Sequence, residues 1–149
     1  MNLMDELSLF HGPNAGYAAE QYEEILRRDD KNLPAQLNLG LAYQGQGKFA
    51  QAKDAWLAAL KAHPDAAEPH YALGDLYMRN MTAYADAKTE LKAFLKLKGS
   101  SLPSKHPAYT MLGQVDDLIK QEEANKRQLE ELKKQEEAEA KAAAEAEAK

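Results

Sequence analysis

The chain has no cysteine, a single tryptophan and no excess of basic residues. The first absence excludes a disulfide framework, a zinc finger or ribbon, a thiol nucleophile and a cysteinyl iron–sulfur cluster. Lys and Arg number 19 against 24 Asp and Glu, for a formal net charge of -5. A chain so balanced, with no basic run, repels a phosphate polymer, and nucleic acid is not an expected partner. No apolar stretch approaches the ~18 residues that span a bilayer, so no direct membrane insertion is expected. The opening Met1-Asn2-Leu3-Met4-Asp5-Glu6 has neither the basic start nor the apolar run of an export signal. What is present, 149 residues of which 44% are hydrophobic and 29% charged, suits one globular body with a single core.

Three zones follow one another: a short start over 1–13, a body over 14–119, and a tail over 120–149 built almost wholly of Glu, Lys, Gln and Ala. The body repeats itself. Leu39-Gly40-Leu41-Ala42-Tyr43 returns 34 residues later as Leu73-Gly74-Asp75-Leu76-Tyr77. Each is followed by a second half: Ala52, Trp56, Ala59, Leu60 and Pro64 after the first, and Ala87, Leu91, Phe94 and Leu95 after the second. Partial copies flank these as Ala18, Tyr22, Ile25 and Leu26 upstream and Tyr109, Leu112 and Gly113 downstream. Turn residues stand between the halves at Gly45 and Gly47 and between the repeats at His63-Pro64-Asp65. The pattern predicts helices over 15–29, 34–45, 48–62, 67–80 and 84–98, a last one from 106 onward, and a short one over 2–10 where Leu3, Leu7 and Phe10 share a face. Small Gly40, Gly74, Ala52, Ala59 and Ala87 allow close helix approach, and Tyr43, Trp56, Tyr77 and Phe94 fill the space between.

These residues resemble the tetratricopeptide repeat, with its Leu-Gly-x-x-Tyr on one helix and Ala-x-x-x-aromatic followed by Pro on the next. The repeat near 33–66 matches nearly every signature position. The repeat near 67–99 has one extra residue between its helices and Gly99 in place of the Pro, and Gln36, His70 and Tyr109 stand where the pattern usually has Trp. The resemblance implies an all-α helical-repeat solenoid of about two and a half helix-turn-helix units, here with a long charged C-terminal helix. It also implies a protein-protein interaction scaffold or adaptor rather than an enzyme.

No reactive constellation competes with that expectation. Gly45-Gln46-Gly47-Lys48 lacks the spacing of a phosphate loop and no strand precedes it, so it reads as a turn. His11, His63, His70 and His106 are spread over different turns and helices, and neither a metal site nor a cofactor is expected. Adjacent carboxylates such as Glu23-Glu24 and Asp116-Asp117 fall on helix surfaces, and the seven Ser and Thr include no Gly-x-Ser-x-Gly elbow, so no catalytic residue is assigned.

A binding site is expected instead on the helix faces that the repeat packing leaves over. Leu39 and Tyr43 are consumed by packing, while Leu37, Leu41 and Gln44 form an opposite row at spacings of four and three. Likewise Leu73 and Tyr77 pack, leaving Tyr71, Asp75 and Met78. In stacked helix pairs the first helices line the concave side, so these rows, with Asn38, Glu68 and Arg79 as polar features, form the wall of a groove for a peptide or amphipathic helix of another protein. Tyr71 is the expected anchor. The groove is either open to a partner or filled by the chain's own start. Chaperone-binding members of the family that this chain resembles hold a terminal carboxylate with a clamp of Lys, Asn and Arg. Asn38 fits it, whereas Glu68 and Ala72 stand where Lys and Arg are needed.

In the tail, Glu122 and Lys126, Glu123 and Arg127, Glu130 and Lys134, Glu137 and Lys141, and Glu145 and Lys149 are spaced by four, which favours one continuous solvated helix. Leu129 and Leu132 are its only large apolar residues beyond Ile119, too few for a sustained heptad seam. Such a tail is either a polar cap to the repeats or, resembling in composition the rigid linkers of bacterial envelope-spanning proteins, a spacer or docking arm. The second possibility goes with an oligomerising repeat unit that self-associates by stacking, within an envelope-associated secretion or motility complex. A complete chain would be cytoplasmic. A chain that has lost an N-terminal segment would be periplasmic or envelope-associated.

Overall fold

The computed structural model describes residues 14–148, so the helix expected over 2–10 lies outside the described residues. Six α-helices follow in chain order: α1 (Asn14–Arg28), α2 (Leu33–Gly45), α3 (Phe49–Ala62), α4 (Glu68–Arg79), α5 (Tyr84–Lys98) and α6 (Pro107–Glu147). A 3-10 turn, Gly99–Ser101, joins the last two. No expected boundary is displaced by more than one residue. The chain divides between Val115 and Asp116 into two units. The first holds α1 to α5 and the opening turns of α6.

Local chemistry explains where the helices start and stop. The Asn32 side chain accepts a hydrogen bond from the Ala35 N–H at 2.9 Å, and Pro34 occupies the first turn of α2, where a missing N–H costs nothing. The α2–α3 turn closes through Gly47, whose φ of 76° is open to glycine without strain. The longer α4–α5 turn places Thr82 at φ 48°, a β-branched residue in the left-handed region. At the start of α6 the His106 ring takes the capping role, its Nδ1 accepting from the Ala108 N–H at 3.1 Å.

Packing within each repeat depends on one close approach. A Cβ at Gly40 would stand 2.2 Å from Nε1 of Trp56, so the bare backbone of α2 is the seat of the indole. Trp56 is fully buried, and its Nε1–H donates to the Leu37 carbonyl at 3.0 Å, which satisfies its one polar atom. The next repeat reproduces the arrangement with Leu91, whose Cγ would meet a Cβ at Gly74 at 2.9 Å. Ala52, Ala59 and Ala87 are fully buried beside these contacts, as close helix approach requires. Polar bonds join neighbouring elements at the edges. The Tyr43 hydroxyl donates to Glu23 of α1 at 2.5 Å, the Gln36 amide donates to the Asp30 carbonyl at 3.0 Å, and His63 Nε2 meets the Lys31 carbonyl at 2.5 Å. A second cluster, Ala67, Phe94 and Ala108 with Tyr71, Leu95 and Leu102 against it, ties α4 and α5 to the start of α6.

The second unit is helix alone. From Lys120 to Ala148 every residue is exposed, including Leu129 and Leu132. Nothing there is held by packing, and helix propensity with spaced opposite charges does the work.

Gly40→Ala is expected to lower stability by about 1–3 kcal/mol in denaturant unfolding, because the indole must move to admit the methyl group. Thr82→Gly is expected to raise it by about 1 kcal/mol, the left-handed strain of ~1–3 kcal/mol less the ~0.5–1 kcal/mol entropic cost of glycine. Burial, then the Glu23 carboxylate, pushes the Tyr43 hydroxyl up from 10.0 to about 12. Unfolded tyrosine loses its proton near 10 while the folded state keeps it, so stability falls as pH rises from about 10 to about 12. Tyr71 and Tyr77 are raised in the same direction by burial and share in that fall. Thermal unfolding across this range should show a shallower decline for Tyr43→Phe, together with a loss of ~0.5–1.5 kcal/mol at neutral pH.

Candidate functional site

Helices α2 and α4, the first helices of successive repeats, are joined by side chains on one face. Gln44 of α2 donates from Nε2 to the Asp75 carboxylate at 3.3 Å and to Oδ1 of Asn80 at 2.8 Å. Asp75 receives Arg79 Nε on its other oxygen at 2.6 Å. This network is built by periodicity: Glu68, Tyr71, Asp75 and Met78 are spaced three, four and three along α4 and share a stripe, with Arg79 beside it. On α2, Leu37, Leu41 and Gln44 are spaced four and three and share a face.

The structure sorts the expected groove residues into three groups. Glu68 and Arg79 are exposed. Leu37, Asn38, Gln44, Tyr71 and Met78 are half-buried, each with part of its surface open. Leu41 and Asp75 are buried, at 2% and 7% exposure. This corrects the expectation that both line an accessible wall. Gln44 reaches across to Asp75 and Asn80, so Asp75 is held between α2 and α4, and Leu41, one turn before Gln44, is buried as well.

Tyr71 is also more than a free anchor. Its ring lies 5.1 Å from that of Phe94 and 5.8 Å, edge-on, from that of His106, and Phe94 and His106 are themselves 5.7 Å apart. The three rings join α4, α5 and the entry to α6 under one end of the stripe. Burial, then the nearby Asp75 carboxylate, raises the Tyr71 hydroxyl above its ordinary value, with Arg79 opposing. The phenol is therefore a neutral donor and acceptor at physiological pH. His70, one residue before it, turns to α5 instead, with Nδ1 2.6 Å from Glu90 and both side chains 18% exposed.

Asn80, Phe94 and His106 contribute to this site without having been expected there. Asn80 stands just past the end of α4, and its place beside Gln44 follows from how α2 and α4 pack. Phe94 and His106 are remote in sequence, and only the folding of α5 and α6 against α4 brings their rings to Tyr71.

The stripe can offer a carboxylate at Glu68, amides at Asn38 and Gln44, a guanidinium at Arg79 and soft apolar surface at Leu37, Tyr71 and Met78. These groups can donate and accept hydrogen bonds around apolar surface, and contain no paired nucleophile and base. Among the described residues no three His, Cys, Asp or Glu side chains gather as a metal site, and no helix is long and apolar enough to cross a membrane.

No family model and no curated protein matches the sequence. Solved structures do. The first TPR of Spaghetti (RPAP3) bound to the HSP90 peptide SRMEEVD superposes with a TM-score of 0.65 at 18% identity, over 78% of this chain and 88% of that one. The first TPR domain of the human RPAP3 protein superposes with a TM-score of 0.69 at 18% identity, over 81% of this chain and 91% of the other. With Leu-Gly-x-x-Tyr on α2 and α4, small residues under Trp56 and Leu91, and these two superpositions, the chain has the tetratricopeptide-repeat fold.

Proposed function

We propose that this protein is a non-enzymatic scaffold or adaptor that holds a peptide or amphipathic helix of a partner against the face shared by α2 and α4. The observation that carries the reading is the half-open stripe of Leu37, Tyr71 and Met78 set around a hydrogen-bonded frame, Gln44–Asp75–Arg79. Apolar surface supplies the gain on burial, and the frame keeps the two helices in a fixed register so that little ordering is lost on binding. Asn38, Glu68 and Arg79 surround the stripe with amide and charge, which sets orientation. The Spaghetti domain, similar in fold, is bound to an HSP90 peptide, and that supports peptide recognition by a domain of this fold.

The ligand differs from that peptide in chemistry. Glu68 and Ala72 occupy places where the carboxylate clamp has cations, so an acidic C-terminus meets repulsion here. A second reading is favoured by the length of α6, which stays helical to Glu147 with an exposed surface throughout the tail. It makes the repeats an oligomerising mount and the tail a spacer or docking arm. The likeness of the tail to linkers of bacterial envelope proteins supports placing either reading in a bacterial multiprotein assembly, with the compartment following from that assembly.

Peptides selected from a displayed library on the full chain test the groove. Met78→Glu, which leaves the buried frame intact, is expected to weaken the selected peptides by about tenfold or more in fluorescence anisotropy, in keeping with a central apolar contact. Unchanged affinity in a folded Met78→Glu protein would overturn the assignment. The peptide SRMEEVD is expected to give no saturable binding, and tight binding of it would show that Glu68 does not face the ligand.

A further inference from the structure

Over 87–115 the chain carries five lysines, Lys88, Lys92, Lys96, Lys98 and Lys105, against one carboxylate, Glu90, although its net charge as a whole is -5. Glu90 turns to α4, where it meets Nδ1 of His70 at 2.6 Å. Lys88, Lys92 and Lys96 are spaced four and four and share a face of α5. Ala87, Leu91 and Phe94 take the buried side of that helix, while Lys88 is half-buried and Lys92 and Lys96 are exposed.

A need for solubility does not account for this row. No carboxylate stands three or four residues from any of the three lysines, so the helix bears like charges at spacing four, which weaken it. The tail solves the same problem with Glu four residues before Lys or Arg. The helix dipole favours Lys96 and Lys98 in the last turn of α5, but not Lys88 and Lys92 before it. Three residues after Lys96, Gly99 keeps a helical φ of -53° and continues the same face. The Tyr109 hydroxyl donates to the Gly99 carbonyl at 3.3 Å, and Tyr109 stays 40% exposed, so an aromatic ring closes the C-terminal end of the row.

We propose that α5 presents a second interaction surface, the row of Lys88, Lys92 and Lys96 with Tyr109 at its end, for an acidic helical segment of another protein. At ~1.5 Å per residue, successive lysines of the row rise by ~6 Å. Carboxylates at every fourth residue of a helix have the same rise, so an acidic helix laid along α5 meets the row charge for charge. Tyr109 adds contact area at low entropic cost. A longer polyanion, such as nucleic acid or an anionic bilayer, also meets the rest of a chain in which Asp and Glu outnumber Lys and Arg. The row is on α5 and the stripe described above is on α2 and α4, so the inference stands without the groove reading and gives a scaffold its second point of attachment.

Fluorescence anisotropy on the full chain tests this, with a labelled helical peptide that carries Glu at every fourth position among Ala and Gln. Saturable binding that weakens as salt is raised is expected. Lys92→Glu is expected to weaken it by about tenfold by setting like charges against each other. The same substitution is expected to raise the melting temperature, because an acid at that place stands four residues from both Lys88 and Lys96. Binding lost while stability is gained does not come from unfolding. The peptide remade with Lys in place of Glu is expected to prefer the Lys92→Glu protein to the native one. Lys31→Glu with Lys48→Glu makes a larger change in net charge at exposed positions outside the row, and is expected to leave the affinity within about twofold. Met78→Glu in the groove is expected to leave it unchanged. The inference is overturned by a native chain that gives no saturable binding, or by a loss as large with the Lys31 and Lys48 pair as with Lys92→Glu. Lys92→Glu that binds as the native chain does, or a DNA duplex or phosphatidylserine vesicles bound in preference to the peptide, would overturn it as well.

Discussion

A helix can carry a tryptophan against its neighbour at van der Waals contact with the main chain only where the neighbour has no side chain. Gly40 provides that place, and the indole of Trp56 fills the volume that a Cβ would take. The cost of a glycine inside a helix is ~0.5–1 kcal/mol, while full burial of a large apolar side chain contributes several times as much. The indole N–H bond to the Leu37 carbonyl then fixes the height of α3 along α2. Gly74 and Leu91 repeat the solution without the polar bond. Once both pairs are seated, the rotation of each first helix about its axis is settled, and so is the face left for anything else.

That remaining face is where α2 and α4 meet. Gln44 lies one residue beyond Tyr43, the last residue of the packing signature, and its amide bridges to Asp75 and Asn80 because the repeat has set the two helices side by side. A buried carboxylate such as Asp75 is tolerated because it is paired and hydrogen-bonded on both oxygens. The frame is thus a by-product of stacking and also the rigid part of the candidate site. The tail obeys a different balance: its helix is supported by spaced charges in water, with Leu129 and Leu132 as its exposed large apolar residues.

The helices were legible from spacing, turn residues and the 34-residue recurrence, and the boundaries follow them to within one residue. The burial of Trp56, Tyr77 and Phe94 was legible for the same reason, since each sits at a fixed distance from a small residue that the repeat pairs with it. The candidate site was legible only in part. Counting around a helix separates the packed row from its opposite, which placed Leu37, Gln44, Tyr71 and Met78 on one side. It does not say what stands opposite that side, so Leu41 and Asp75 read as open surface in the sequence although both are buried.

Local sequence determined what depends on neighbours along the chain: helix starts at Asn32 and Pro34, the turn at Gly47, the glycine seats at Gly40 and Gly74, and a tail held helical by charges four residues apart. Tertiary structure alone decided what depends on distances between elements. Leu41 is buried, Asp75 is shared by Gln44 and Arg79, and the Tyr71 ring is committed to Phe94 and His106. The reason is that periodicity specifies the direction in which a side chain leaves its helix, whereas exposure depends on what stands opposite, and that is set by the packing of helices far apart in the chain.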